Sequence, residues 1–191
     1  MGDQTNSRAN GSSDRCLTNM LRTLLSMCCF VIAGAQHSNF YTRTCGSSQM
    51  PADIVFVLDE SGSVGATNFN QTLHFVMNVS KHFNIGPNAI QVGVITFSNT
   101  VSQDIALNDT GNYEDFLAAV EKIQYGSGRT ATDRALATMR EIGFAKGSGA
   151  RRDVARIGIV VTDGKSNEKA ATLVEAERCQ NESFIMFCIG I

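Results

Sequence analysis

A chain of 191 residues, 43% of them hydrophobic, is the size of one domain and carries enough apolar material for a sizeable core. Its formal net charge of −2 argues against a polyanion-binding surface. Aromatic and basic residues are not interleaved as single-stranded nucleic acid requires, so no nucleic-acid partner is expected.

The amino-terminal segment is polar through Asn19 and turns apolar from Leu24 to Ala35, behind Arg22. A basic flank, a short apolar core and the small-residue ending Ala33-Gly34-Ala35 describe a secretory signal cleaved after Ala35, which places the mature protein outside the cell. The run is too short to span a bilayer comfortably, so no stable membrane span is expected. The polar lead is long for such a signal, which leaves a start at Met20, an incorrect gene boundary or a buried amphipathic helix as competing readings. Residues 1–35 are read as polar lead plus signal, 36–52 as an extended linker containing Gly46-Ser47-Ser48 and Pro51, and 53–191 as the folded domain.

Removal of residues 1–35 leaves Cys45, Cys179 and Cys188, an odd number. Cys188 lies in a strand pattern and reads as a buried free thiol, while Cys179 falls opposite the apolar face of its helix and reads as exposed. Asn70, Asn78, Asn108 and Asn181 each begin an Asn-x-Ser/Thr sequon and are candidate glycosylation acceptors, with Asn78 opposite the apolar stripe of its helix.

Within the domain, Asp53 to Leu58 is an apolar run bounded by Pro51 and Gly62, the pattern of a strand buried on both faces of a parallel sheet. Phe69, Leu73, Val76, Ser80 and Phe83 follow helical spacing and predict an amphipathic helix over 68–83, with His74 and His82 on its outer side. Ile90 to Phe97 is the next strand, with Gly93 marking a close approach. The short Ser98-Asn99-Thr100 connection then predicts a hairpin into an antiparallel edge strand, Val101 to Leu107. Asn112 and Asp115 cap the next helix, whose inward stripe is Phe116, Val120 and Ile123. A further helix from Thr130 carries Ala135, Leu136, Met139 and Ile142 inward and ends near Gly147-Ser148-Gly149. A second buried strand, Arg156 to Thr162, a helix over 167–180 and a last strand, Phe184 to Ile191, complete the order. That order predicts a doubly wound, mostly parallel α/β sheet with one antiparallel edge strand and helices on both faces.

Oxygen donors cluster where the strands give out. Asp59, Ser61 and Ser63 alternate at the end of the first strand, Asp163 follows the strand ending at Thr162, and Thr130 lies in the loop Gly126-Ser127-Gly128-Arg129-Thr130. Sites in open α/β sheets form outside the carboxyl ends of the strands. Asp59, Ser61, Ser63, Thr130 and Asp163 are therefore candidates for one cation site, and hard oxygen donors suit Mg²⁺ or Ca²⁺ over a transition metal. The competing readings are local: Thr130 and Asp133 also fit a capping box, and Asp-Gly and Ser-Gly are ordinary turn formers.

Asp59-x-Ser61-x-Ser63, then Gly128-x-Thr130-x-Thr132 with Ala135-Leu136, then Thr162-Asp163-Gly164 resemble the von Willebrand factor A domain with a complete metal-ion-dependent adhesion site. The resemblance covers about 53–191 and rests on motifs in the family's order and spacing. It implies a divalent cation, Mg²⁺ first with Mn²⁺ or Ca²⁺ as alternatives, held by the five residues above directly or through water. It also implies an extracellular matrix or cell-surface partner, collagen among the candidates, that offers a carboxylate to the ion. Glu60 stands at a variable position of the motif and is expected to point away from the ion, while Arg129 replaces a glycine often found there and is expected on the rim. Related extracellular A domains often pair a cysteine at the position of Cys45 with one beyond the last helix; Cys45 and Cys179 are the disulfide candidates in this chain. Compared with the family, the closing helix, strand and helix are absent, so a chain truncated at its carboxyl end is expected.

Two other functions compete with this one. A Mg²⁺-dependent phosphoryl-transfer enzyme lacks support: Asp59-Glu60-Ser61 has no second aspartate two positions on, no Gly-x-x-x-x-Gly-Lys loop occurs, and Ser61-Gly62-Ser63-Val64-Gly65 misses the first glycine of a nucleophile elbow. A structural matrix-assembly module without metal-dependent binding is the other alternative.

Overall fold

A computed structural model describes residues 50–164 and 166–191. The expected signal segment, all but the last residues of the linker, and Cys45 lie outside the described residues.

Five strands form one sheet in the order β3-β2-β1-β4-β5. These are β1 (Ala52–Asp59), β2 (Ile90–Phe97), β3 (Val101–Ile105), β4 (Ala155–Thr162) and β5 (Ile185–Gly190). Every residue of β1 and β2 is buried, which is why their sequences are mainly apolar and β-branched. β1 pairs in parallel with β2 on one side and β4 on the other, β5 continues parallel to β4, and β3 pairs antiparallel with β2. β3 stops at Ile105, short of the expected Leu107, because the Asp109 carboxylate accepts from the Ala106 amide at 2.7 Å and turns the chain.

Helices α1 (Gly65–Ser80), α2 (Tyr113–Val120), α3 (Thr132–Thr138) and α4 (Lys169–Asn181) join these strands. The chain steps one way from β1 to β2 and, after the β2–β3 hairpin, the opposite way from parallel strand β2 to β4, so right-handed connections put α1 and α3 on opposite faces. On the face of α3, Val55, Val57, Ile95 and Phe97 form one core with Ala135, Leu136, Met139, Cys179 and Phe184. Gly158 makes room there: a Cβ on it would lie 2.6 Å from the Met139 sulfur and 2.8 Å from that of Met186. Gly93 behaves as expected, since its Cβ would stand 3.0 Å from the Ile105 carbonyl.

Several faces differ from the sequence reading. α1 begins three residues early, because the Ser61 carbonyl accepts from the amides of Val64 and Gly65 and the turn runs straight into the helix. Past α3 the chain winds into a π turn, Met139–Gly143, in which the Phe144 amide donates to the Met139 carbonyl at 2.9 Å. The wider turn rotates Ile142 outward, where it is 49% exposed, while Met139 stays buried. α4 is turned from its expected orientation: Cys179 is fully buried, and Leu173 and Val174 face solvent. The Glu175–Arg140 ion pair at 3.3 Å and the Thr172–Ser166 hydroxyl contact at 2.7 Å fix that rotation, directing Ala176 and Cys179 to the core. Cys188, expected inside, is exposed on edge strand β5.

Candidate metal centre

The reversal of winding direction between β1 and β4 is a topological switch point, where the loops from adjacent strand ends diverge and leave a crevice. Asp59 ends β1 there, and Asp163 follows the end of β4.

Asp59 is completely buried. One of its carboxylate oxygens accepts from the Ser61 amide at 2.8 Å, which bends the chain away from the strand, and the other accepts from the Thr162 hydroxyl at 2.5 Å. The bend sets the Ser61 and Ser63 hydroxyls 3.2 Å apart, and the Ser63 hydroxyl donates to Asp163 at 3.1 Å. Ser61, Ser63 and Asp163 thus form one chain of oxygens reaching the surface, and the Ser61 amide ties it to Asp59 at the buried strand end. Thr162, read in the sequence as part of the Thr162-Asp163-Gly164 motif but not as a ligand, ties the two strands together at Asp59.

Thr130 is buried, and backbone bonds bring its loop to the same end of the sheet. The Gly62 amide donates to the Gly128 carbonyl at 2.8 Å, the Tyr125 hydroxyl donates to the Ser61 carbonyl at 3.1 Å, and the Thr130 carbonyl accepts from the Asn167 amide at 3.2 Å. The capping alternative does not form: Ala131 is the cap residue of α3 and makes no side-chain cap bond, while the Thr132 hydroxyl and one Asp133 oxygen are buried without a partner. Asn99 supports the loop from the β2–β3 turn, accepting from the Arg129 amide at 3.0 Å and from the Arg134 guanidinium at 2.8 Å. Gly128, at φ +136°, is the residue this approach needs, since a Cβ there would come within 2.9 Å of the Asn99 side chain. Nothing in the sequence of Tyr125 or Asn99 announced these roles.

Glu60 turns away from the oxygen chain, as expected of it, and is buried against the neighbouring loops. Burial pushes its carboxyl above the ordinary value, partly countered by bonds from the Gly126 amide at 2.8 Å and the Ser98 hydroxyl at 3.1 Å. Arg129 is exposed.

The electrostatics leave a vacancy for positive charge. Among the described residues, no Lys, Arg or His forms an ion pair with Asp59 or Asp163. Nor is there, among them, a group of three or more His, Cys, Asp or Glu side chains that could hold a metal. The donor set is two carboxylates with serine and threonine hydroxyls, a composition that fits a hard divalent cation and offers a thiophilic one nothing.

The von Willebrand factor type A domain profile matches residues 53–191. Human collagen alpha-1(XXI) chain is 38% identical over 141 residues, which are 74% of this chain and 14% of that protein. Chicken (Gallus gallus) matrilin-1 is 32% identical over 153 residues, 78% of this chain and 31% of that one. The transmembrane cell adhesion receptor mua-3 of Caenorhabditis elegans is 34% identical, over 73% of this chain and 4% of its own length. The chain therefore spans less than a third of each of these relatives. Among solved structures, proximal thread matrix protein 1 from the mussel byssus, with a zinc-occupied MIDAS motif, superposes with a TM-score of 0.67 at 26% identity, covering 75% of this chain and 36% of that one. Manganese-loaded Plasmodium vivax TRAP protein gives a TM-score of 0.67 at 20% identity over 76% of this chain and 59% of that one, a likeness of fold. With the profile spanning every strand but the first residue of β1, the chain belongs to the von Willebrand factor type A domain family.

Proposed function

We propose that Asp59, Ser61, Ser63, Thr130 and Asp163 hold a divalent cation, Mg²⁺ first, and that the ion presents an open position to a carboxylate of an extracellular matrix or cell-surface protein. The observation that carries this reading is Asp59: a fully buried carboxylate with no ion-pair partner among the described residues, held by the Ser61 amide and the Thr162 hydroxyl beside the linked oxygens of Ser61, Ser63 and Asp163. A buried charge without a counter-charge is costly, and a bound cation supplies the counter-charge. When bound, the ion acts as a Lewis acid towards an outside oxygen. The chain's own residues do the rest: the two aspartates offset part of the charge, Thr162 and the Ser61 amide fix Asp59, and the hydroxyls add neutral donors. With its charge only partly offset, the site attracts an acidic side chain.

The compartment and partner class follow the relatives, which are collagens, a matrilin and a cell adhesion receptor. A binding role and not catalysis is the function proposed. No helix among the described residues is long and apolar enough to cross a membrane. Asn70, Asn78, Asn108 and Asn181 are all exposed, which supports their use as glycosylation acceptors. The test is calorimetric titration of Mg²⁺ and Mn²⁺ into the full chain beside Asp59→Ala, after both are shown to be folded. Saturable binding by the wild type that is lost in the variant is the expected result; a folded wild type that binds neither ion sinks the reading.

A further inference from the structure

Residues 123–131 form no regular secondary structure, so the position of Thr130 depends on the bonds that pin this loop. Glu60 supplies one of them. It follows Asp59 directly, and the alternation of an extended chain sends its side chain to the opposite side from the oxygen chain. Its amide extends the β1–β2 ladder by donating to the Phe97 carbonyl at 2.9 Å. The carboxylate, with the residue only 7% exposed, then accepts the Ser98 hydroxyl with one oxygen and the Gly126 amide with the other. One side chain therefore joins the end of β1, the β2–β3 turn and the loop leading to Thr130.

The fit is close. A Cβ on Gly126 would fall 2.7 Å from one Glu60 oxygen and 2.9 Å from the other, so the loop backbone lies directly against the carboxylate. No ion pair accompanies Glu60 among the described residues. A charge kept here without a partner makes sense if its two acceptor oxygens are needed to hold two separate segments.

We propose that Glu60 is a positioning residue of the cation site: it takes no part in ligation and sets the loop so that Thr130 stands at the oxygen chain of Asp59, Ser61 and Ser63. This rests on the cation reading and adds a residue outside the ligand set. Partners that orient ligands typically change metal affinity by about 10- to 100-fold when removed.

The experiment uses the full chain with Mn²⁺ as probe, free ion being counted by its electron paramagnetic resonance signal, and amide exchange of residues 126–130 measured on metal-free protein. Glu60→Ala should weaken Mn²⁺ binding by about tenfold or more and speed exchange in the loop. Glu60→Gln keeps an acceptor for Gly126 and should stay within about threefold of the wild type. A folded Glu60→Ala with wild-type affinity overturns the proposal, and so does a Glu60→Gln as weak as Glu60→Ala, because charge and not loop position would then be responsible. Should Glu60→Ala fail to fold, Gly126→Ala, which pushes the loop off an intact carboxylate, replaces it: weakened binding is expected and unchanged binding is the contrary result. A wild type that binds no Mn²⁺ overturns the cation reading itself and this inference with it, an outcome distinct from wild-type binding that ignores Glu60.

Discussion

At the amino end of β1, Asp53 is fully buried, and Arg151 satisfies it from within the chain through its backbone amide at 2.7 Å, Nε at 2.9 Å and a terminal guanidinium nitrogen at 2.7 Å. At the carboxyl end, six residues on, Asp59 is equally buried and among the described residues receives only an amide and a hydroxyl. Arg151 also donates to the carbonyls of Ala52, Pro87 and Ala89, so that end is a closed structural clamp. The end at Asp59 is as buried, and among the described residues no basic side chain pairs with it. Two aspartates on one strand, alike in burial, thus separate a site that stabilises the fold from one that, in the function proposed above, takes a cation from outside.

The comparison breaks most visibly at the clamp. Replacing Arg151 with Ala strands a buried charge, and chemical denaturation should show a loss of about 3–5 kcal/mol that Mg²⁺ does not restore. A smaller effect is expected at the other end from Thr162→Val, which removes the hydroxyl donor to Asp59 and keeps its shape. Titration of this variant should give a Mg²⁺ affinity lower by about tenfold, with a loss of metal-free stability of about 1–3 kcal/mol, less than that of Arg151→Ala. If Thr162→Val instead destabilised the metal-free fold as severely as Arg151→Ala, the two ends would both be structural and the contrast would disappear.

Much of this was legible in the sequence because the signals were strong and local. A β-branched, mainly apolar segment between turn formers reads as a buried strand, and Ile90 to Phe97, set between Gly86-Pro87-Asn88 and Ser98-Asn99-Thr100, was bounded correctly for that reason. The alternation of Asp59, Ser61 and Ser63 at a strand end likewise pointed to donors at one place, and the hydrogen bonds among them agree. What escaped was set by tertiary packing. The orientation of α4 is decided by Glu175 against Arg140 and not by its own apolar residues, so Leu173 and Val174 face out and Cys179 faces in. The exposure of Ile142 comes from one extra residue in a π turn, which a regular helical period cannot anticipate. Glu60 looked like a variable residue between two site positions, and only the approach of Gly126 and Ser98 gives its carboxylate a task.

The most direct measurement is denaturant unfolding of the full chain in saturating Mg²⁺ and in chelator, for the wild type and Asp59→Asn. A cation that binds the folded state should stabilise the wild type by about 2.7 kcal/mol at a hundredfold excess over Kd. Asp59→Asn, which removes the unmatched buried charge, should gain nothing from Mg²⁺ and lose little in chelator. A wild type equally stable in both conditions, or an Asp59→Asn variant stabilised by Mg²⁺ as much as the wild type, would contradict the claim that Asp59 is completed by a cation from outside the chain.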